Sequence, residues 1–308
     1  MPGQLFATST QGGYTWSPLL TKEVRHAAQP DMKFTQFTAF REEWGKGKGE
    51  TFLFDKYGNI DTAGGDLTET STIPMHGYRL YQGTATLVER GNAIPWTKKY
   101  ELLSQTNERK APVQMLRHDM AKVLDEDCEA QFDACKVRYA ATSASAGSWT
   151  TDGTASDTAT SALNKYHVKQ IIDYMYQTMK AIPYDGTNYM AILSTNAKRG
   201  IYDDVEDILK YTKYPANGEF GGYYSCRFTV TNHALSNTIG NGSAYGEGYF
   251  FGGNEAPVME GEAYAPEIIP KELTDFGRSK GLAWYLINAY KIFWEGDPDN
   301  NIVKLCSA

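Results

Sequence analysis

Four uncommon features follow one another in a fixed order between Thr21 and Ala140. Ser17-Pro18 opens a short helix whose Leu20, Val24, Ala27 and Ala28 share one face, and Gln29-Pro30 closes it. An aromatic strand, Phe34-Thr35-Gln36-Phe37, comes next. After Thr51-Phe52-Leu53-Phe54 a long excursion opens and passes through Gly64-Gly65-Asp66-Leu67-Thr68-Glu69 before Thr84-Ala85-Thr86-Leu87-Val88 returns as a strand. Last comes a helix starting at Pro112, with Val113, Leu116, Met120, Val123, Ala130, Ala134 and Val137 on its stripe. That is a helix of about 28 residues, or roughly 40 Å. A lone two-stranded excursion is marginal in water, so this one is expected to lie on a neighbouring chain. An arm, a glycine-tipped loop and a long helix suit contact between subunits better than catalysis.

The rest of the chain alternates helix and strand. Lys98 to Thr106 reads as a short helix, and Val168, Ile171, Ile172, Met175, Met179 and Ile182 mark another stopped by Pro183. Between them, 141–162 is low-complexity, eleven of its 22 residues being Ser or Thr, which predicts a loop or a weak hairpin. Tyr189 to Ser194 is expected as a buried strand, and Asp203 as the cap of a helix running to Lys213. Tyr224, Cys226, Phe228 and Val230 alternate with polar residues as in a half-buried strand. Residues 237–266, rich in Gly, Asn, Glu and Tyr, read as exposed loops. Leu282 to Trp294, apolar on both faces, reads as a central strand, with Ile302 to Cys306 pairing back on it after a turn at 296–300.

Charge and motifs exclude more than they assign. A net charge of -7 argues against a dedicated nucleic-acid binder. Met1 to Ala7 lacks a basic start and an apolar run, and the longest apolar stretch, Gly281 to Trp294, is too short to span a bilayer, so a soluble protein made inside a cell is expected. Cys128 and Cys135 lie too far apart on a helix for a disulfide, and no pair has zinc spacing, so four reduced, packed thiols are expected. Gly246-Glu247-Gly248 with Gly252 misplaces the third glycine of a dinucleotide loop. Asp297, Asp299 and Asn301 lack the glycine and the closing acid of a calcium loop. The five histidines form no metal motif. No catalytic residue, cofactor or metal is assigned.

In order and content, the chain resembles the major capsid proteins of tailed bacteriophages, closest to the podophage-type branch of the HK97-like fold. The matching residues are Ala27-Ala28-Gln29-Pro30 with Phe34 and Phe37, Phe52-Leu53-Phe54, Gly64 to Glu69, Ile73-Pro74, Arg90-Gly91-Asn92-Ala93-Ile94 with Thr97, and Met120 to Asp125. The likeness is best over 21–140 and continues in order to Trp284-Tyr285-Leu286-Ile287.

The resemblance implies an α+β subunit in five parts. These are an N-terminal arm (1–35), an extended loop with flanking strands (36–97), a peripheral domain with a spine helix (98–183), an axial domain (184–265) and C-terminal strands returning to the peripheral domain (266–308). It further implies self-assembly into the pentamers and hexamers of an icosahedral shell around double-stranded DNA. Scaffold, portal and decoration proteins would be partners, DNA would be touched weakly, and no membrane would be involved. The subunit would be assembled in the host cytoplasm and reside in the virion. Candidate inter-subunit residues are Tyr14, Trp16, Lys56, Tyr57, Gly64, Gly65, Leu67, Thr68 and Glu69. Arg109, Lys110, Arg117 and Lys122 either face the lumen or form a solvated helix face. Some relatives cross-link through a Lys and an Asn; nothing here matches such a pair beyond the position of Lys56, so no cross-link is expected. Two alternatives are a carbohydrate-binding module built on the tyrosine loops, drawn from 21 tyrosines, and an enzyme using Asp203, Asp204 and His233.

Overall fold

The computed structural model describes residues 32–43, 49–58, 60, 64–70, 72–78, 80–103, 110–154, 158–204, 219–233, 246–253, 257–272, 275–294 and 301–308. The amphipathic segment 17–30 and the turn 296–300 lie outside them.

Two sheets share one long helix. The first sheet has the order β1-β11-β12-β4, formed by β1 (Thr38–Glu43), β11 (Val258–Pro270), β12 (Ser279–Ile292) and β4 (Val88–Thr97). The expected central strand is therefore an interior one, β12, held antiparallel by a neighbour on each side. The second sheet has seven strands in the order β6-β5-β13-β10-β7-β9-β8. They are β5 (Arg138–Ser143), β6 (Ala146–Thr150), β7 (Tyr189–Leu193), β8 (Glu219–Tyr223), β9 (Cys226–Val230), β10 (Gly246–Phe251) and β13 (Ile302–Ser307). A separate hairpin pairs β2 (Thr51–Tyr57) with β3 (Leu80–Thr86). The helices are α1 (Lys98–Leu103), α2 (Lys110–Asp133), α3 (Lys165–Gln177) and α4 (Thr195–Asp204).

Helix α2 is amphipathic in an unusual way. One side carries Leu116, Met120, Val123 and Leu124, which pack on Trp284, Leu286, Ile94, Ile268 and Leu282 of the first sheet. The other side presents Asp125, Glu129 and Asp133, at i, i+4 and i+8, hence on one face. Each carboxylate takes a different element. Asp125 Oδ1 accepts the backbone N–H of Phe34 at 2.8 Å and of Thr35 at 3.2 Å, and its Oδ2 accepts His233 Nδ1–H at 2.9 Å. Glu129 accepts the hydroxyl of Tyr249, in β10, at 2.5 Å. Asp133 accepts the ammonium of Lys304, in β13, at 2.5 Å. Between these anchors Phe132 meets Phe34, Tyr249 and Phe251 at ring separations of 5.3 to 5.7 Å, the range in which tilted aromatic pairs attract.

Several local expectations are corrected. Phe34–Phe37 is a 3₁₀ turn and the strand begins at Thr38, because Asp125 draws the N–H groups of Phe34 and Thr35 away from any ladder. Helix α2 has 24 residues and ends at Asp133, since Val137 instead gives its carbonyl to Lys304 N–H beside the start of β5. Asp203 lies inside α4, near the end of its described span, and the N-terminus of that helix is served by Ser194 Oγ accepting Ala197 N–H; the expected run on to Lys213 lies outside the described residues. Residues 246–251 are no exposed loop but a wholly buried strand, and 258–270 is another strand. Glycine makes β10 possible, since a Cβ on Gly248 would come within 2.9 Å of Ile192 O. Ile302–Ser307 pairs with β10 and β5 in the other sheet, not back on β12. Tyr224 sits in a left-handed turn with Ser225 rather than in a strand. The segment 141–162 contains the β5–β6 hairpin, and Asn164, just past it, caps α3.

Candidate assembly surface

Alternation in β2 and β3 fixes which end of the hairpin is held. Phe52 opposes Ala85 and Phe54 opposes Gly83, all on one face. The Phe52 ring packs with Ala85, Leu87, Met259 and Ala289, and Phe54 stacks on Phe293 at 5.8 Å. A Cβ on Gly83 would strike the Phe54 ring, and one on Gly261 would strike Phe52. The base of the hairpin is thus seated on β11 and β12 of its own chain.

Beyond that base the described apolar side chains of the hairpin stand largely in solvent. Tyr57, Ile60, Leu67, Ile73, Met75, Tyr78 and Leu80 are all exposed, Met75 to 94%. Gly64, Gly65 and Gly77 have open space where a Cβ would stand. Keeping Leu, Ile and Met side chains in water forgoes about 1.5–3 kcal/mol each, and a run of them marks an interaction surface.

The expected site residues separate accordingly. Tyr57 lies on the stem, and Gly64, Gly65, Leu67, Thr68 and Glu69 lie together on the exposed excursion. Lys56 is in β2 and Lys110 opens α2. Tyr14, Trp16 and Arg109 lie outside the described residues. Arg117 is exposed and Lys122 half-buried; five positions apart on a helix, they point about 140° from one another and do not form one basic stripe. Two features carried little warning in the sequence. One is the Asp125 clamp on the entering chain; an isolated acid in an acidic helix looks solvated. The other is Phe276, fully exposed in the turn between β11 and β12, signalled only by the turn formers Asp275 and Gly277 beside it.

Among the described residues, the groups considered for a reaction centre fall in separate places. His233 is buried against Asp125, with Nε2 3.5 Å from Glu126, and Asp203 and Asp204 are the last described residues of α4. Among the described residues no group of three His, Cys, Asp or Glu could hold a metal. All four cysteines are free and buried; burial pushes the Cys128 and Cys226 thiols well up, so neither is a ready thiolate. Of the tyrosines expected in loops, Tyr249 is a core residue bonded to Glu129. No helix among the described residues is long and apolar enough to cross a membrane.

The fold is that of chains forming phage capsids. Over 100% of its length the chain superposes on 99% of a chain from the capsid asymmetric unit of cyanophage Pam1, with a TM-score of 0.68 and 14% identity. A chain from the capsid of Ralstonia phage GP4 gives 0.66 at 13% identity, covering 97% of this chain and 96% of that one. A chain from the acidic stable capsid of Helicobacter pylori bacteriophage KHP30 gives 0.65 at 11% identity, with 95% and 94% covered. No family model matches the sequence, and no curated protein does.

Proposed function

We propose that this chain is the major capsid protein of a tailed bacteriophage, a non-enzymatic subunit that builds the pentamers and hexamers of an icosahedral shell around double-stranded DNA. The observation that carries the reading is the whole-length likeness to capsid chains, joined to a hairpin whose base is seated on its own chain while its apolar end is left in water. In an HK97-like division, 1–35 is the arm, 36–97 the extended loop with its strands, 98–183 the peripheral domain with α2 as spine, 184–265 the axial domain, and 266–308 the returning strands. The exposed Tyr57, Leu67, Thr68 and Glu69 then lie on a sister subunit, where many modest contacts act together through high effective concentration. Scaffold, portal and decoration proteins are its further partners, packaged DNA is touched weakly, and the virion is its final location after assembly in the host cytoplasm.

The test is expression of the chain alone and with its scaffold, followed by size exclusion and negative-stain microscopy. Shells, tubes or capsomer rings are expected. A monomer under every condition, scaffold included, overturns the reading.

A further inference from the structure

We propose that His167 is an acid-sensitive lock, a buried imidazole that holds the edge hairpin β5–β6 against the first turn of α3 and releases it on taking up a proton. The hairpin runs into the Ser/Thr-rich stretch 141–162, to which the capsid reading gives no role. Strand β6 is an edge of the seven-stranded sheet and pairs with β5 alone. Its one large side chain is Trp149, which meets the Tyr139 ring at 4.7 Å and stacks on Tyr174 at 4.0 Å. Trp149 thus ties β6 both to β5 and to α3. Tyr139 is fixed in turn by His167: both are buried, His167 to 0% exposure, and the phenol oxygen lies 2.8 Å from Nδ1. Gly147, in β6, leaves the phenol its room, since a Cβ there would strike it.

The site suits a neutral imidazole. With its proton on Nε2, Nδ1 accepts the Tyr139 O–H, while Nε2 faces the Ser143 backbone without a well-formed hydrogen bond. A second proton, on Nδ1, meets the Tyr139 O–H head-on, and the phenol has to turn away from both His167 and its seat beside Trp149. His167 is the third residue of α3 after its cap, Asn164, where the helix dipole opposes an imidazolium, and no acid stands in that turn. The titratable groups against the ring are Tyr139 from β5 and Tyr166 from α3 itself. Among the described residues no carboxylate acts on it. Burial lowers its pKa from the ordinary 6.5, with the Ser143 backbone opposing the fall. The opened hairpin lets His167 bind its proton as the unfolded chain does. Closure is therefore complete above 6.5 and is lost as pH falls below it. Glu129 titrates nearby with the opposite sign, but it sits on α2 against β10. Once the edge has opened, His167 takes no further part in global stability, so the two groups are told apart by where the chain loosens.

The test is segment-resolved amide hydrogen exchange of the full chain, corrected for the intrinsic pH dependence of exchange. It works on the free subunit or the shell, so its failure leaves the capsid reading untouched. Between pH 7.5 and 5, protection of 146–150 and 165–168 is expected to fall about tenfold or more, while that of 189–193, inside the same sheet, holds. In His167→Gln the side-chain carbonyl still accepts the Tyr139 hydroxyl but cannot titrate, and protection of the hairpin is expected to stay level over this range. Constant protection in the wild type, or an equal fall in both proteins, overturns the lock. If His167→Gln does not fold, the wild type decides alone. Exchange of the His167 ring C–H with deuterium, followed by mass spectrometry, reports when the imidazole takes up its proton. That uptake and the loss of hairpin protection are expected over one pH interval, and two separate intervals overturn the proposal.

Discussion

Phe34 donates its backbone N–H to Asp125 Oδ1 at 2.8 Å across 91 residues of chain. The same carboxylate, 0% exposed, also serves Thr35 N–H and His233. Asp125 therefore joins the entering chain, the middle of α2 and the residues after β9 at one point. Asp125→Ala would strand three donors, at least one of them fully buried, and each such loss costs about 1–3 kcal/mol. A fall in stability of about 3–5 kcal/mol is expected by chemical denaturation. Asp125→Asn keeps an acceptor oxygen for the two N–H groups and is expected to lose less than half as much.

One turn along the same face, burial pushes the Glu129 carboxyl up to about 7, with Asp133 and Glu247 adding to the rise and the Tyr249 hydroxyl and Lys304 opposing it. The unfolded chain holds this proton only below about 4.5. Between those values the folded state binds more protons than the unfolded one. Its contribution to stability is thus complete below the lower value and is lost as pH rises through the upper one, by an amount on the order of 3 kcal/mol. Denaturation midpoints measured from pH 4.5 to 8 should fall in the wild type and change much less in Glu129→Gln. An equal slope in both would remove Glu129 as the cause.

Asp125 and Glu129 also mark where the sequence stops being legible. The elements announced by periodicity were readable: the alternation of Phe52 and Phe54 in β2, the stripe from Leu116 to Val123 in α2, and the unbroken apolar run of β12. What decided the remainder was long-range. Phe34 and Phe37 look like strand residues until a distant carboxylate takes the local N–H groups. Gly246 and Gly248 look like loop glycines; in fact their missing side chains let β10 enter the core between β13 and β7. The exposure of the described residues in the excursion 57–80 was legible for the opposite reason, because its glycines and polar residues cannot bury much apolar surface by themselves. Phe276 was not, since nothing local distinguishes an aromatic residue held in solvent from one in a core.

Lys304 and Asp133 form an ion pair whose members are unequal. The Lys304 side chain is 0% exposed and Asp133 is 50% exposed. Burial lowers the Lys304 pKa, while its bond to Asp133 opposes that fall. Asp133→Ala leaves a buried ammonium without its hydrogen-bonded carboxylate and is expected to cost about 3–5 kcal/mol. Lys304→Met removes the buried charge and leaves a carboxylate that water can reach, so a change within about 1 kcal/mol is expected. Equal losses in the two variants would show that the pair acts through its attraction and not through the desolvated lysine.

The exposed hairpin end allows fold and assembly to be separated. Leu67 and Ile73 are 53% and 68% exposed, so Leu67→Asp with Ile73→Asp removes no core contact, and surface changes of this kind stay within about 0.5 kcal/mol. The denaturation midpoint of the subunit is accordingly expected to hold, and deletion of residues 59–76 is likewise expected to leave the Phe52 and Phe54 seat intact. If the tip lies on a sister subunit, both changes must abolish shell formation, because a buried carboxylate without a partner costs far more than the apolar contact it replaces. Light scattering during assembly measures this directly. Normal shells from either variant would place the hairpin outside the interface, and an unfolded deletion variant would show that the tip serves its own subunit.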